Sequence, residues 1–176
     1  MTSKPSRQDR TERAVSRAIS RLSGAPSSHR WDVAAWTRAV KRALTKEGTR
    51  QGCSVHAAGV RSADPEWLYD LCWLKYDRKN FLRRMTLVLE CEWHPRGVED
   101  DFLKLVVARA EHRVIVFTPY ARASAIESAS ALMKNAHRFQ GSRVGDRYLF
   151  GYWDEERFRF QWVCYVVSAV TGQEHR

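Results

Sequence analysis

Apolar side chains recur every three or four positions across residues 31–46, where Val33, Trp36, Val40 and Leu44 share one side of a helix and Gly48 is placed to stop it. The period then changes. Residues 53–60 are short and rich in small side chains around Val55, which fits a first strand, and residues 67–76 are dense in β-formers. Asp77, Arg78, Lys79 and Asn80 make a charged turn and residues 85–93 run on as a second clear strand, so this stretch predicts an antiparallel hairpin. Pro95 and Gly97 break the chain. Glu99, Asp100 and Asp101 then sit where acids favour a helix N-terminus, with Phe102, Leu105, Val106 and Arg109 along one side of that helix. The β-branched run 113–117 predicts a strand that crosses back to the sheet, and 121–138 a helix whose apolar face is Ile126, Ala129, Leu132 and Met133. Residues 148–153 and 158–167 predict a closing hairpin turned at Asp154, Glu155, Glu156 and Arg157. The order is helix, three strands, helix, strand, helix and hairpin: an α/β fold with a mixed β-sheet flanked by helices.

Ahead of this pattern, residues 1–30 hold no aromatic side chain and are rich in Ser, Arg, Pro and Lys. One folded domain is therefore expected at 31–176, behind a basic, flexible N-terminal leader at 1–30. Within the leader, Arg10, Arg13, Arg17 and Arg21 recur at helical spacing beside a narrow stripe of Val15, Ile19 and Leu22, and Gly24, Ala25 and Pro26 would end such a helix. Two readings stand: a mobile solvated tail, or a short basic helix that meets phosphate groups on binding.

Composition narrows the partner. The chain has 30 Lys and Arg against 20 Asp and Glu, a net charge of +10, which favours a polyanion such as nucleic acid. Cys53, Cys72, Cys91 and Cys164 show no CxxC pairing and read as reduced core thiols rather than zinc ligands or disulfides. No stretch approaches the roughly 18 apolar residues of a membrane span, and the N-terminus lacks the apolar centre of a signal peptide. A cytoplasmic protein without membrane association is the expectation.

The chemistry concentrates on the hairpin. Alternate residues of a strand share a face, so Glu90 and Glu92 point the same way, about 7 Å apart, while Leu87, Leu89, Cys91 and Trp93 face the other side. Burying a carboxylate costs several kcal/mol unless a metal or a cation compensates it. On the neighbouring strand Asp70 shares parity with Leu68 and Cys72 and interrupts another apolar row. If the register sets Asp70 across from Glu90, three carboxyl groups converge on a site suited to a hard cation, Mg²⁺ or Mn²⁺. Lys104, on the following helix, is the candidate cation for stabilising charge on a phosphodiester under attack. The alternatives are an acidic strand face that simply meets water and, for Lys104, a surface ion pair with Asp100 or Asp101.

The runs Glu66-Trp67-Leu68-Tyr69-Asp70-Leu71-Cys72-Trp73, Leu87-Val88-Leu89-Glu90-Cys91-Glu92-Trp93 and Asp101-Phe102-Leu103-Lys104-Leu105 resemble the PD-(D/E)XK nuclease superfamily, with its restriction-endonuclease-like αβββαβ core. The resemblance implies a metal-dependent endonuclease acting on DNA, with the first acid at Asp70 and the second at Glu90. Glu92 stands where the family's usual lysine would be. Some members carry that lysine on the following helix, which implies Lys104 in the role and Glu92 as a further metal ligand or as an acceptor behind the ligands. Glu47, near the end of the first core helix, and Glu66, just before the strand, are additional candidate acids. The replaced lysine position keeps an alternative open, a non-catalytic nucleic-acid-binding or assembly protein that retains the fold.

The remaining tempting residues divide by what they exclude. The six histidines show no metal-ligand spacing, although His94 lies two positions after Glu92, and there is neither a nucleophile-elbow serine nor a GxxxxGK phosphate loop. Aromatic residues of the closing hairpin alternate poorly, which divides them between the core and an exposed face used for base stacking or a homodimer contact. Arg157 and Arg159, beside Phe158 and Phe160, join Arg10, Arg13, Arg17 and Arg21 as candidate nucleic-acid contacts.

Overall fold

The computed structural model describes residues 6–24, 32–119 and 125–169. Ten elements follow in order: α1 (Arg10–Ser23), α2 (Val33–Arg50), β1 (Ser54–His56), β2 (Leu71–Tyr76), β3 (Leu82–Glu92), α3 (Val98–Val107), β4 (His112–Phe117), α4 (Ala125–Arg138), β5 (Arg147–Asp154) and β6 (Arg159–Val166). The six strands form one mixed sheet in sequence order. Neighbours are antiparallel except for β3 with β4 and β4 with β5, which run parallel and are joined through α3 and α4. The predicted αβ class and the crossover helices are thus present, and the expected domain boundary near residue 31 falls outside the described residues.

Strand parity sorts the core into two layers. Cys72, Val88, Ile115, Phe117, Tyr148 and Phe150 face α3 and α4, which contribute Phe102, Leu105, Leu132 and Met133. Leu71, Trp73, Leu87, Leu89, Val114 and Val116 face the other way, onto Val40 and Leu44 of α2 and Val15 and Ile19 of α1. The β4 strand is buried along its whole length, as a parallel strand covered on both faces must be.

Of the two readings of the leader, the helix with its Val15 and Ile19 stripe, ended at Gly24, is the one present as α1, and it is docked on the fold. Over Arg10–Ser23 the chain is a packed helix, not a solvated tail: Val15 and Ile19 are fully buried, and an Asp9–Glu12 capping box starts the helix. Arg10, Arg13, Arg17 and Arg21 occupy its exposed side. A correction concerns Gly48, which lies inside α2 rather than ending it. A Cβ there would sit 2.5 Å from the Trp73 indole nitrogen and 2.7 Å from Val55, so glycine is what lets the last turns of α2 close onto β1 and β2. Residues 121–124 of the predicted 121–138 helix, and the side chain of Ile126, lie outside the described set.

Most hairpin aromatics belong to the core. Trp153 and Phe160 pack with Trp36 and Trp93 at ring separations of 5.0 to 6.3 Å, and Trp162 donates its indole N–H to Ser20 of α1 at 2.9 Å. Phe158, at the turn and with φ of 49°, is the exposed one of this group. All four cysteines are buried and unpaired.

Candidate active site

Antiparallel pairing sets Leu71 against Leu89 and Cys72 against Val88, so one step further Asp70 stands across from Glu90 at the end of the sheet. The contact is fixed by the backbone. Cys91 N–H donates to Asp70 Oδ2 at 2.9 Å. The other carboxylate oxygen, Oδ1, lies 2.8 Å from Lys41 Nζ, and the same ammonium is 3.1 Å from Glu66. Lys41 comes from α2, on the opposite layer, and its side chain is only 7% exposed. Burial works against its charge, but the hydrogen bonds and charges of Asp70 and Glu66 outweigh it and hold the lysine above its ordinary pKa.

Glu90 is the unusual member. It is 4% exposed, and its Oε1 is a buried oxygen without a hydrogen-bond partner. Lys104 Nζ approaches that oxygen only to 3.9 Å, because its own close partner is Asp101, at 2.7 Å and one helical turn back on α3. Burial, joined by the charges of Asp70 and Asp101, pushes the Glu90 carboxyl up to about 8, against the pull of Lys104 and of the Asp70 backbone. The hydrogen bond to Asp101 and the Glu90 charge raise Lys104 itself, whose head is half exposed. Tyr69 lies nearby and its phenol is raised, first by burial and then by Glu90.

Asp70, Glu90, Lys104 and Glu66 are therefore brought to one end of the sheet. Two other candidates are not. Glu92 folds back onto its own turn, accepting from His94 N–H at 2.6 Å and lying over Gly97, so shared strand parity with Glu90 does not bring its carboxylate to the cluster. Glu47 is held by Arg50 at 2.5 Å and by Gln51 at 2.8 Å, on the far end of α2. Arg157 is tied to Asp154 at 2.9 Å in the exposed β5–β6 turn, and Arg159 is exposed at the start of β6.

Sequence reasoning missed Lys41 and did not count Asp101 as a site residue. The signal for Lys41 was present: it falls between Val40 and Leu44 within the buried arc of α2, a position where a lysine needs a partner. Asp101 was visible only as a helix-start acid.

Asp70 and Glu90 supply oxygen donors of the type a hard divalent cation takes, and Glu90 Oε1 is unclaimed, whereas Glu66 and Asp101 are already met by Lys41 and Lys104.

A second acidic cluster lies elsewhere and involves a histidine dismissed on spacing. Ligand atoms of Asp9, Glu12 and His112 fall within 4.8 Å of one another, a spacing at which a metal ion can be held. Here a side chain already supplies the cation. Arg147 of β5 reaches Glu12 at 3.0 and 2.6 Å and Asp9 at 3.4 Å. Asp9 Oδ1 accepts from Glu12 N–H and Glu12 Oε2 from Asp9 N–H, while the His112 ring contacts Asp9 at 2.7 Å and the Thr86 carbonyl at 3.0 Å. Every carboxylate oxygen has a partner.

Compared with protein-family models, curated proteins and solved structures, the chain matches none.

Proposed function

We propose that this protein is a Mg²⁺- or Mn²⁺-dependent nuclease of the PD-(D/E)XK kind that hydrolyses phosphodiester bonds in DNA. The observation that carries the reading is Glu90: a buried carboxyl with an unpartnered oxygen, across from Asp70 and facing a half-exposed lysine. Keeping such a group in the fold costs several kcal/mol, which is expected of a site shaped for a ligand rather than for stability. The order α2, β1, β2, β3, α3, β4 is also the helix, three strands, helix and strand of that family's core, with Asp70 immediately before the second strand and Glu90 on the third.

Asp70 and Glu90 would hold the ion, which when bound supplies Lewis-acid stabilisation of the phosphoryl oxygens. The protein's own groups do the rest. Lys41 pins one oxygen of Asp70 and so fixes the direction of the carboxylate. Lys104, exposed enough to meet a phosphate, supplies positive charge where negative charge develops during the displacement. The exposed arginines of α1 lie on the molecule's surface as phosphate contacts that position the strand.

One observation favours the other reading, a nucleic-acid-binding protein that keeps the fold without the chemistry. Both oxygens of Asp70 are already engaged, one by an ammonium and one by a backbone N–H. Supercoiled plasmid incubated with the protein and Mg²⁺ or Mn²⁺ separates the two. A nuclease nicks or linearises it, and Glu90→Gln, Asp70→Asn and Lys104→Ala each lose about 100-fold or more in rate. Plasmid retained in a gel-shift yet never cut, with either ion, sinks the enzyme and leaves the binding protein.

A further inference from the structure

At the end of the sheet away from Glu90, the start of β3, the α3–β4 turn and the α4–β5 loop enclose a cleft of about 700 Å³. Arg84 lies six residue steps from Glu90 along β3, about 20 Å, so this is a separate place on the molecule. Its lining holds five arginines, Arg83, Arg84, Arg109, Arg113 and Arg143, against two carboxylates, Glu111 and Asp146.

Part of this charge has a structural use. Arg84 pairs with Glu111 at 3.3 Å, and Arg113 donates to the Ala108 carbonyl at 3.2 and 2.8 Å and meets Asp146 at 3.3 Å. Arg83 meets Asp77 at 4.0 Å, which leaves two arginines. Among the described residues the side chains of Arg109 and Arg143 have no hydrogen-bond or ion-pair partner, and Asp146 is further occupied by the Arg143 backbone N–H. Arg113, 5% exposed, keeps a buried Nη1 without any acceptor, although the rest of its guanidinium is anchored and stacked over Tyr148. A buried guanidinium N–H lacking an acceptor is costly, and an oxyanion is its natural complement.

Part of the lining is apolar. Met85 and Val106 contribute to it, and Phe139 stands half exposed with its ring laid over Gly141. The volume lies in the range of small-molecule sites, with a cationic end matched to phosphate geometry and an aromatic face able to stack a base. We propose that this cleft binds a nucleoside 5′-phosphate, either free or as the phosphorylated end of an oligonucleotide, with the phosphate on Arg109 and Arg143, beside the positive charge of Arg113, and the base against Phe139. The proposal does not depend on the nuclease reading, since it uses none of the carboxylate cluster.

Calorimetric titration of the full chain with AMP, adenosine, inorganic phosphate and the dinucleotide pTpT, each at matched ionic strength, tests it. AMP is expected to bind at least about 10-fold more tightly than adenosine or phosphate alone, as each charge-assisted contact is worth about 1.4 kcal/mol or more. The Arg109→Ala/Arg143→Ala double variant, which removes no partner of a buried group, loses about 10-fold or more in affinity with an unchanged unfolding midpoint. Phe139→Ala weakens AMP and leaves phosphate alone. AMP tighter than pTpT identifies a free nucleotide, and the reverse a nucleic-acid end. No heat from AMP or pTpT up to about 10 mM overturns the proposal, as does AMP binding no better than phosphate or an unaffected double variant.

Discussion

Two clusters of buried charge hold this molecule together at different places, and they are built on opposite principles. Around Arg147, every carboxylate oxygen of Asp9 and Glu12 is matched to a guanidinium, an imidazole or a backbone N–H. Around Glu90, the partners are unequally shared: Asp70 is fully engaged, Asp101 keeps the lysine, and Glu90 is left with an oxygen that nothing satisfies. The first arrangement docks a helix onto a sheet. The second leaves a buried carboxyl oxygen without a partner, a cost to stability that the first arrangement avoids.

The largest expected effect breaks the saturated cluster. Arg147→Met leaves Glu12, which is 1% exposed, as an uncompensated buried carboxylate and should cost about 3–5 kcal/mol in urea unfolding. A loss under about 1 kcal/mol would show that α1 is held by its apolar stripe alone.

Acid and base should move the two clusters in opposite directions. Glu90 has a folded pKa of about 8 against an ordinary 4.5, so its contribution is intact below 4.5 and is lost as pH rises through 8. Glu90→Gln should therefore stabilise the protein at pH 7 by at most about 3 kcal/mol and change little at pH 4.5. Asp9 behaves inversely. Burial raises its pKa, but the Glu12 N–H, His112 and Arg147 outweigh burial and set it below 3.8, so its contribution is present above that value and fades as pH falls further. Equal effects of Glu90→Gln at both pH values would contradict the burial argument.

Metal sharpens the contrast at smaller cost. At about 100 times its dissociation constant, Mn²⁺ adds about 2.7 kcal/mol to the stability of whatever site it occupies, and about 1–2 kcal/mol at lower saturation. That increment should disappear in Glu90→Gln and survive in Asp9→Asn. EDTA should leave the unfolding of untreated protein unchanged, because Arg147 and not an ion balances Asp9 and Glu12. The reverse pattern would move the metal site to the α1 cluster. Smallest of all is Lys104→Ala. Its ammonium is half exposed, so stability should change by less than about 1 kcal/mol, read as a small shift in urea midpoint even where cleavage collapses.

The hairpin acids were readable because β-strands impose a period of two and because an acid in an apolar row is conspicuous. Asp70 and Glu90 could be named from that pattern, and so could the helix–strand order that carries them, while Lys104 is named as the lysine on the helix that follows. Glu92 shows where such reasoning ends. Parity places its Cα correctly, but the turn at 94–97 captures its carboxylate, and no strand periodicity encodes that. Lys41 was invisible as a partner of Asp70, since the two are 29 positions apart and on elements whose packing angle the sequence does not state. The leader misled for the same reason. Its composition reads as solvated, whereas the arginine that neutralises Glu12 lies 135 residues away.

By itself, then, the chain's pattern of apolar and polar residues determined the sheet, the helices that cross over it, and which acids interrupt apolar rows, because those properties are local and periodic. Only the tertiary structure decided which charges meet, which carboxylate is left unsatisfied, and whether the basic N-terminal helix is docked. Those outcomes depend on the register of strands and the seating of helices, and on competition for partners that are distant along the chain and a few ångströms apart in space.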